Sequence, residues 1–541
     1  KLVISLPYRG FLNQKSGSKS SYTLRGQFNY EKVIGGDHSI NGILGGEVRK
    51  VVDKQNSAGY FGYNDETLLQ QPIDYKTLTT NFSNPLIYSG SIGYENLFNL
   101  TYVDNRYVSL YSNIVYSFRD TYSFTASARI DQSNLFGTDP QYRYKPLWSV
   151  GLGWNIHKEQ FMQNLSWVNQ LKLRMAYGFN GNVSKLSLPR VIAKPSFNFL
   201  TTNYVPSFLK ASLANSSLRW EQTKNLNIGL DFGIFKGING SVDVYNKTSI
   251  DLLSQAEINP SIGYSAYINS ASINNRGLEF RLQADWISRP HFNWNTGFVV
   301  SRNISKALKV LQQNKNPKYI NPGGYWEGEA LGPIFAYRWA GLDSAGGPLL
   351  KNEKGDLLSP EASGAGNLLY DINAGYVRHM GSGIPAINAG LSNRVDIGNF
   401  YIYCMINYYG GFKTLVPAPN PSDKRPLAGA GNYWKQPGDE KNTNIGSLAS
   451  YGTYDAGNVY PLLDRYVVNG DYLTLADLTV SYDFGNQPIF KRAGLSAFEV
   501  KLQASNLFTV GFNKYNYSKA MGSFEKSYIT PTYSIALLTN F

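Results

Sequence analysis

A strict two-residue alternation of apolar and polar side chains limits the possible folds of this chain more than any other feature. It is clearest over residues 107–131, where two alternating runs flank the short polar turn Arg119-Asp120-Thr121. Successive side chains of a β-strand point to opposite faces of its sheet. Each run therefore predicts a strand of about ten residues with one apolar face and one polar face.

Folding the two runs about this turn predicts the register of a hairpin. Phe118 falls opposite Tyr122, and Tyr116 falls opposite Phe124, so the apolar side chains of both strands share one side of the sheet. The same alternation recurs along the chain and predicts about fifteen strands. They cover residues 22–30, 38–49, 107–118, 122–131, 148–156, 171–179, 226–234, 242–244, 278–286, 292–300, 387–395, 400–408, 478–484, 498–504 and 533–541.

The composition favours a membrane-embedded sheet. The 541 residues include 40 Tyr, 28 Phe and 9 Trp, whereas only 16% of them are charged. The mean hydropathy is nevertheless that of a water-soluble protein, which is typical of membrane β-barrels because only every second strand residue meets lipid. No stretch approaches the roughly 18 to 20 consecutive apolar residues of a membrane helix, so we exclude a helical membrane protein.

Net charge and cysteine content exclude less. A net charge of +13 could serve nucleic acid or anionic lipid headgroups, but we interpret it as basic loops on a solvated surface and predict no nucleic-acid partner. Cys404 is the only cysteine, which excludes intrachain disulfides, CxxC redox motifs and thiolate zinc sites.

The connections between the predicted strands alternate in length. Short turns are expected after Tyr30, Phe118, Ile156, Ile234, Trp286, Asp396 and Phe484, and long irregular segments after Arg49, Asp131, Phe179, Lys247, Ser301, Tyr409 and Ser505. Short turns at one rim and long loops at the other are the layout of an outer-membrane barrel.

Aromatic residues cluster on the apolar face near the short-turn rim, where membrane barrels carry an interfacial girdle. They are Phe118, Tyr122, Trp154, Phe232, Trp286, Phe292, Trp294, Phe400, Tyr482, Phe484, Phe498 and Phe541. A large soluble β-protein with aromatic strand ends is the alternative reading of this pattern.

The direction of the strands adds a further expectation. A single-chain bacterial barrel has an even number of strands, and both of its ends lie on the periplasmic side. The predicted count is odd, and the strand at 22–30 begins at the long-loop rim. We therefore expect residues 1–541 to form the C-terminal part of a barrel whose other strands, an odd number, lie elsewhere.

A series of sequence blocks spans nearly the whole chain in a fixed order. The blocks are YSFTASARID at 122–131, WSVGLGW at 148–154, LKLRMAYG at 171–178, LRWEQT at 218–223, NRGLE at 275–279, WKQPGD at 434–439, DR at 464–465, GDYL at 470–473 and NLFT at 506–509. Together they resemble the pattern of SusC/RagA-type TonB-dependent transporters.

The resemblance implies a barrel of about 22 strands with an N-terminal plug domain and a TonB box, of which neither the plug nor the box is recognised in residues 1–541. It also implies an outer-membrane location in a Gram-negative bacterium. Cargo would be an oligosaccharide or a peptide, taken up beneath a SusD-like lipoprotein lid with energy from the TonB complex. A passive outer-membrane porin and a soluble glycan-binding β-protein remain the alternatives.

Two groups of residues are candidates for contact with substrate. Charged candidates on the polar strand faces, which would line the lumen, are Arg129, Asp131, Arg174, Asp231, Glu279, Arg281 and Arg394, together with Lys172, Asn227, Asp243, Asp285 and Asp396. Aromatic candidates in the long loops are Tyr325, Trp326, Tyr433 and Trp434. Each group has a structural alternative: the charges could pair with one another or with a plug, and the rings could pack their own loops.

Phe541 ends a run of apolar residues with period two, and this ending resembles the C-terminal signal that outer-membrane assembly machinery reads. An ordinary closing strand would give the same pattern, and both readings can hold at once.

Enzymatic chemistry is not indicated. His38, His157, His291 and His379 are scattered and form no metal-ligand motif. The sequence GSGIPA at 381–386 superficially fits a dinucleotide fingerprint, but it leads into a predicted strand instead of a helix. We therefore predict a transporter that needs no cofactor and has no catalytic residues.

Overall fold

The computed structural model describes residues 10–73, 82–84, 88–90, 97–135, 145–182, 192–198, 205–212, 217–259, 264–311, 324–362, 364–369, 371–424, 426–485, 487–492, 494–518 and 530–540. In chain order the strands are β1 (Gly10–Ile34), β2 (His38–Tyr63), β3 (Phe82–Asn84), β4 (Tyr88–Gly90), β5 (Phe98–Phe118), β6 (Tyr122–Ser133), β7 (Leu147–Asn155), β8 (Val168–Asn182), β9 (Ile192–Asn198), β10 (Val205–Ser212), β11 (Glu221–Ile234), β12 (Ile238–Asn259), β13 (Tyr264–Arg289), β14 (Phe292–Lys309), β15 (Pro333–Tyr337), β16 (Trp339–Leu342), β17 (Pro348–Lys351), β18 (Leu357–Leu358), β19 (Val377–Ser382), β20 (Ile387–Ile397), β21 (Phe400–Gly410), β22 (Lys413–Leu415), β23 (Val467–Asn469), β24 (Tyr472–Asp483), β25 (Ala497–Gly511) and β26 (Thr532–Asn540).

The helices of the described residues are short. The α-helices are α1 (Ala365–Leu369), α2 (Leu448–Gly452), α3 (Tyr454–Val459) and α4 (Pro488–Arg492), and the 3-10 turns are Ile156–Lys158, Gln160–Met162, Ile372–Ala374, Asp439–Lys441, Tyr460–Leu462 and Asp464–Tyr466. Within the described ranges, none of these helices has the length and apolar character needed to cross a membrane.

One sheet of fifteen strands dominates the fold. Its order is β1-β2-β5-β6-β7-β8-β11-β12-β13-β14-β20-β21-β24-β25-β26, so each strand pairs with its neighbour in sequence once the small strands of the long loops are set aside. Every pair is antiparallel, as hairpin connections require. The fifteen predicted strands and the all-β class are confirmed. Over the described residues the sheet is open, with β1 and β26 as its edges.

The predicted hairpin register is confirmed. Phe118 pairs with Tyr122 and Tyr116 pairs with Phe124 in the ladder between β5 and β6. The three-residue turn is tight because both Arg119 and Asp120 adopt φ of 50°, a left-handed conformation that matches the twist of the flanking strands.

One face of the large sheet carries apolar side chains that no second layer covers. Val150 is 39% exposed, while Leu230 and Leu282 are half-buried, so none of the three lies in a dry core between stacked sheets. Other exposed apolar side chains of the large sheet are Leu152, Leu173, Met175, Ile228, Val244 and Leu278. This arrangement argues against a soluble sandwich, in which these positions would be buried.

Aromatic side chains near the short turns lie side by side across neighbouring strands. The rings of Tyr122 and Trp154 are stacked with centroids 6.4 Å apart, and those of Phe400 and Tyr482 meet edge to face at 4.6 Å. Neighbouring rings at this rim thus have the offset and edge-on arrangements that aromatic pairs prefer.

Several strands extend beyond the predicted limits at the long-loop rim. β1 begins at Gly10 instead of Tyr22. At this end Gly10 pairs with Tyr63, so β2 also extends beyond its predicted end at Arg49. The expectation of a long irregular segment after Lys247 was wrong, because β12 continues to Asn259 and β13 already begins at Tyr264. The added part of β1 lacks apolar alternation because its side chains are almost all exposed on both faces of the strand, whereas the added part of β2 buries Val51, Ala58 and Phe61.

Two connections at the opposite rim are longer than predicted. The chain after β7 forms the 3-10 turns Ile156–Lys158 and Gln160–Met162 before β8 begins, and α4 lies between β24 and β25. Phe541 lies outside the described residues, so the predicted assembly signal stays a prediction.

The long loops after β14 and β21 fold together around a core of their own, which we call the loop core. It is built from the antiparallel pair β15 with β19, the three-stranded sheet β16-β17-β18, the pair β22 with β23, and helices α1 to α3. The buried side chains of the loop core are Phe335, Tyr337, Leu342, Leu350, Leu358, Ala365, Leu369, Tyr376, Val377, Val416, Val459, Tyr460, Leu463 and Tyr466. The two long loops therefore share one packed core.

Candidate functional site

The charged candidates of the polar face are mostly engaged within the sheet. The Nε of Arg129 lies 2.7 Å from Oδ1 of Asp131, and its Nη2 donates to the hydroxyl of Ser109 at 3.0 Å. Arg394 pairs in the same way with Asp396, at 3.1 Å. In both pairs the partners are two residues apart on one strand, where alternation puts them on the same face.

Arg174 ties three strands together. From β8 its guanidinium donates two hydrogen bonds to Asp231 of β11, at 2.7 and 2.8 Å, and lies 3.2 Å from Asp243 of β12. Gly229 makes room for this group, because a Cβ at that position would lie 2.4 Å from Oδ1 of Asp243 and 2.8 Å from Nη2 of Arg174. The bidentate geometry is the strong form of an arginine–carboxylate contact.

Glu279 and Arg281 are exposed on β13 and form no ion pair with any other described residue. Glu279 is the ladder partner of Asp243, so two carboxylates stand side by side across the strand boundary. Like charges directly opposite one another destabilise a sheet, and the guanidinium of Arg174 partly offsets this repulsion. The structure thus leaves Glu279 and Arg281 as charges available on this face.

The aromatic loop candidates divide into two pairs. Trp326 packs on Phe335 with ring centroids 5.6 Å apart, and Trp434 packs against the loop core while its Nε1 donates to Glu440 at 3.1 Å. Tyr325 is exposed, and Tyr433 is half-buried beneath the ammonium of Lys435. Both tryptophans therefore hold their own loops, whereas both tyrosines remain accessible.

Two stacked tyrosines lie where the two long loops meet. The rings of Tyr451 and Tyr460 stack with centroids 4.0 Å apart, and the Tyr460 hydroxyl lies 3.2 Å from the carbonyl oxygen of Gly346. Burial raises the pKa of both phenols, because the phenolate would lose its water. The two loops are joined here, since Gly346 follows β14 and Tyr460 follows β21.

Carboxylates of the recognised sequence blocks fasten the loops to the sheet. Asp471 accepts hydrogen bonds from the main-chain N–H of Gly411 at 2.8 Å and from the hydroxyl of Tyr408 at 3.1 Å. Asp439 accepts from the N–H groups of Lys435 and Gln436, at 3.0 and 3.1 Å. Asp471 thus links the start of β24 to the end of β21, and Asp439 closes its own turn, so both carboxylates have structural roles.

A cavity of about 620 Å³ lies among the long loops beside the loop core. Three stretches of chain line it: residues 416–445, which supply most of the wall, then 465–466, and 515–517 after β25. Its polar lining consists mainly of asparagines and Arg465, its aliphatic lining of Val416, Pro417, Pro419, Leu427, Ala428 and Ile445, and its aromatic lining of Tyr466, Tyr515 and Tyr517. A volume of this size is that of a small-molecule site.

The sequence analysis assigned none of these lining residues. It placed the binding region in the long loops, but the tyrosine and tryptophan candidates there do not line the cavity. A cluster of asparagines at 432, 442 and 444 between glycines was the available signal. As to metals, no group of three or more His, Cys, Asp and Glu side chains within the described ranges is arranged to hold an ion.

Comparison with known proteins identifies the family. The model of a family described as TonB dependent receptor-like, beta-barrel matches residues 5–507. The chain belongs to this family. The predicted SusC/RagA type is also confirmed, because the relatives of the chain include the TonB-dependent receptor SusC of Bacteroides thetaiotaomicron, at 25% identity over 71% of this chain and 38% of SusC.

A second relative is TonB-dependent receptor P39 of Formosa agariphila, which is 26% identical over 92% of this chain and 50% of that protein. The chain thus spans half or less of the length of these curated relatives. Among solved structures, that of the RagAB peptide transporter superposes with a TM-score of 0.72 and 21% identity, over 94% of this chain and 53% of the matched one. At this identity the likeness describes the fold alone.

Proposed function

We propose that this chain forms part of an outer-membrane barrel that imports a nutrient with energy from the TonB complex. The observation that carries the proposal is the large sheet of a TonB-dependent receptor family member, with one uncovered apolar face and one face of paired charges. The apolar face meets lipid, the charged face lines the lumen, and the long loops stand outside the cell.

Closure of the barrel requires more strands than the fifteen of this sheet. An unpaired edge such as β1 would leave its main-chain groups without partners in hydrocarbon, which costs several kcal/mol per group. We therefore place the remaining strands, bringing the total to about 22, and the plug in another part of the protein. The TonB complex would act on that part in a Gram-negative outer membrane.

The cargo is proposed to be an oligosaccharide or a peptide, held between the barrel and a SusD-like lipoprotein lid. The loop core supports this proposal, because folded loops give a lid a defined surface to rest on, whereas irregular loops would have to be ordered at each closure. Glu279, Arg281, Tyr325 and Tyr433 are the sequence candidates that keep accessible groups for such contacts.

Uptake of labelled substrate by cells tests the proposal. Cells that produce the full-length protein should take up its cargo only when TonB is present, and a TonB deletion should reduce uptake to the level of cells without the protein. Uptake that persists without TonB would instead identify a passive porin. A protein that fractionates without detergent would be the soluble glycan-binding alternative.

A further inference from the structure

We infer that the cavity beside the loop core binds a short peptide, through its main chain and its free C-terminal carboxylate. The inference rests on the proposed function, because it assigns the cargo class of the same importer. Three properties of the cavity carry it: a fixed arginine without a counter-ion, a set of unengaged amides, and an aliphatic wall.

Arg465 supplies the charge. Its guanidinium carbon lies 5.2 Å from the ring centroid of Trp339 and 5.4 Å from that of Tyr466, and its Nη1 donates to the main-chain oxygen of Asn444 at 3.5 Å, so two aromatic faces and one hydrogen bond hold it in place. Among the residues that the structure describes, it has no carboxylate within ion-pair distance. A guanidinium that is oriented in advance and faces a cavity is suited to bind a carboxylate in bidentate fashion.

The amide groups supply the main-chain contacts. Asn432, Asn442 and Asn444 line the cavity, and their exposed side chains make no hydrogen bond to other described residues. An asparagine amide offers both a donor and an acceptor, which is the pair of groups that each peptide unit presents. Amides in this number can therefore satisfy a segment of peptide backbone without recognising its sequence.

The aliphatic wall distinguishes a peptide from a glycan. Val416, Pro417, Leu427 and Ile445 offer no hydrogen-bonding side-chain group, so a ligand that fills the cavity must place apolar atoms against them. Tyr466, Tyr515 and Tyr517, which also line the cavity, can pack on a peptide side chain or on a sugar ring, so the aliphatic part of the lining carries the distinction. A sugar carries hydroxyls around each ring, and hydroxyls pressed against this wall would lose their water without gaining partners. An extended peptide instead alternates amides with side chains, and it can turn its side chains toward the wall.

Retention of peptides by the purified full-length protein tests the inference. A pool of random pentapeptides with free C-termini is incubated with the protein in detergent, and the bound fraction is quantified by mass spectrometry. A second pool is C-terminally amidated, and a third arm contains maltopentaose. We expect the free-acid pool to be retained about tenfold more than the amidated pool, and maltopentaose not to be retained.

Arg465→Gln should abolish the preference for the free acid and leave retention of the amidated pool unchanged. Lys424→Gln removes the same charge from an exposed position of the same loop that does not line the cavity, and it should behave as the unmodified protein. Asn432→Ala with Asn444→Ala should lower retention of both peptide pools together. Heat-modifiable mobility on gels verifies that the barrel of each variant is folded, and resistance to limited proteolysis verifies that the loop core is folded.

Retention of maltopentaose in place of peptides would overturn the inference, and so would a preference for the free acid that survives Arg465→Gln. Failure of both peptide pools to bind would overturn it as well. These outcomes are separate from the proposed function. TonB-dependent uptake of a glycan would support the importer function and contradict peptide binding by the cavity. Peptide retention without TonB-dependent uptake would support peptide binding and contradict the importer function.

Discussion

The loop core should open without the barrel when its packing is damaged. Leu350 lies on β17 with none of its surface exposed, and it packs among the buried side chains of both long loops. Leu350→Ala removes the buried part of this side chain and leaves a cavity, which costs about 3 kcal/mol for a fully buried leucine. Because each 1.4 kcal/mol is a factor of ten, the open fraction of the loop core should rise about 100-fold.

Limited proteolysis of the full-length protein in detergent measures this fraction, since cleavage follows the population of the open form when opening is fast. The variant should be cut about 100-fold faster within the two long loops, residues 324–386 and 411–471, while the barrel keeps its heat-modifiable mobility. Leu357→Ala is the matched control, because Leu357 lies on the adjacent strand β18 and is 61% exposed. Its cleavage rate should stay within about twofold of the unmodified protein. Equal rates for both variants would refute the reasoning, as would loss of the barrel with Leu350→Ala.

Three further changes test other contacts. Arg174→Met leaves Asp231 and Asp243 without their shared partner. The free energy of unfolding in urea should fall by about 2 kcal/mol, a value between those of exposed and buried ion pairs. An unchanged urea midpoint would contradict a stabilising role for the contacts of Arg174. Burial raises the pKa of Tyr460, so the phenol loses its proton at a lower pH in the open form than in the closed form. Protease resistance of the loop core should therefore be constant up to about pH 10 and fall above it, and the fall should be less steep in Tyr460→Phe. Resistance that rises above pH 10 would contradict this direction of the pKa change. Gly446→Ala places a Cβ against the Tyr460 hydroxyl, with no room for both groups, and should open the loop core at least as much as Leu350→Ala in the same proteolysis. A variant as resistant as the unmodified protein would contradict this packing.

The large sheet could be predicted because one of its faces is apolar and the other is polar. This difference imposes a two-residue period, which locates each strand, and the short turns then fix the register, as at Phe118 and Tyr122. Where both faces are wet this constraint disappears. Residues 10–21 of β1 and the ends of β12 and β13 were missed for that reason, since their polar sequences look like loop.

The loop core and the cavity could not be predicted in the same way. Leu350 and Leu463 are buried together, but more than a hundred residues separate them and no period links them. Trp326 and Trp434 were proposed as contacts for cargo or lid, and the structure shows that they also pack the loop core. Whether an aromatic loop residue faces its own loop or a ligand depends on how the loops converge, which local sequence does not encode.

The central claim is that neighbouring residues of one strand face lipid and lumen in turn. Spin labels at Leu278→Cys and Glu279→Cys, in a Cys404→Ser background and in lipid bilayers, test it directly through relaxation by oxygen and by a water-soluble nickel chelate. The label at position 278 should be relaxed mainly by oxygen and the label at position 279 mainly by the nickel chelate. Equal responses at both positions, or protection of position 278 from both reagents, would contradict the account.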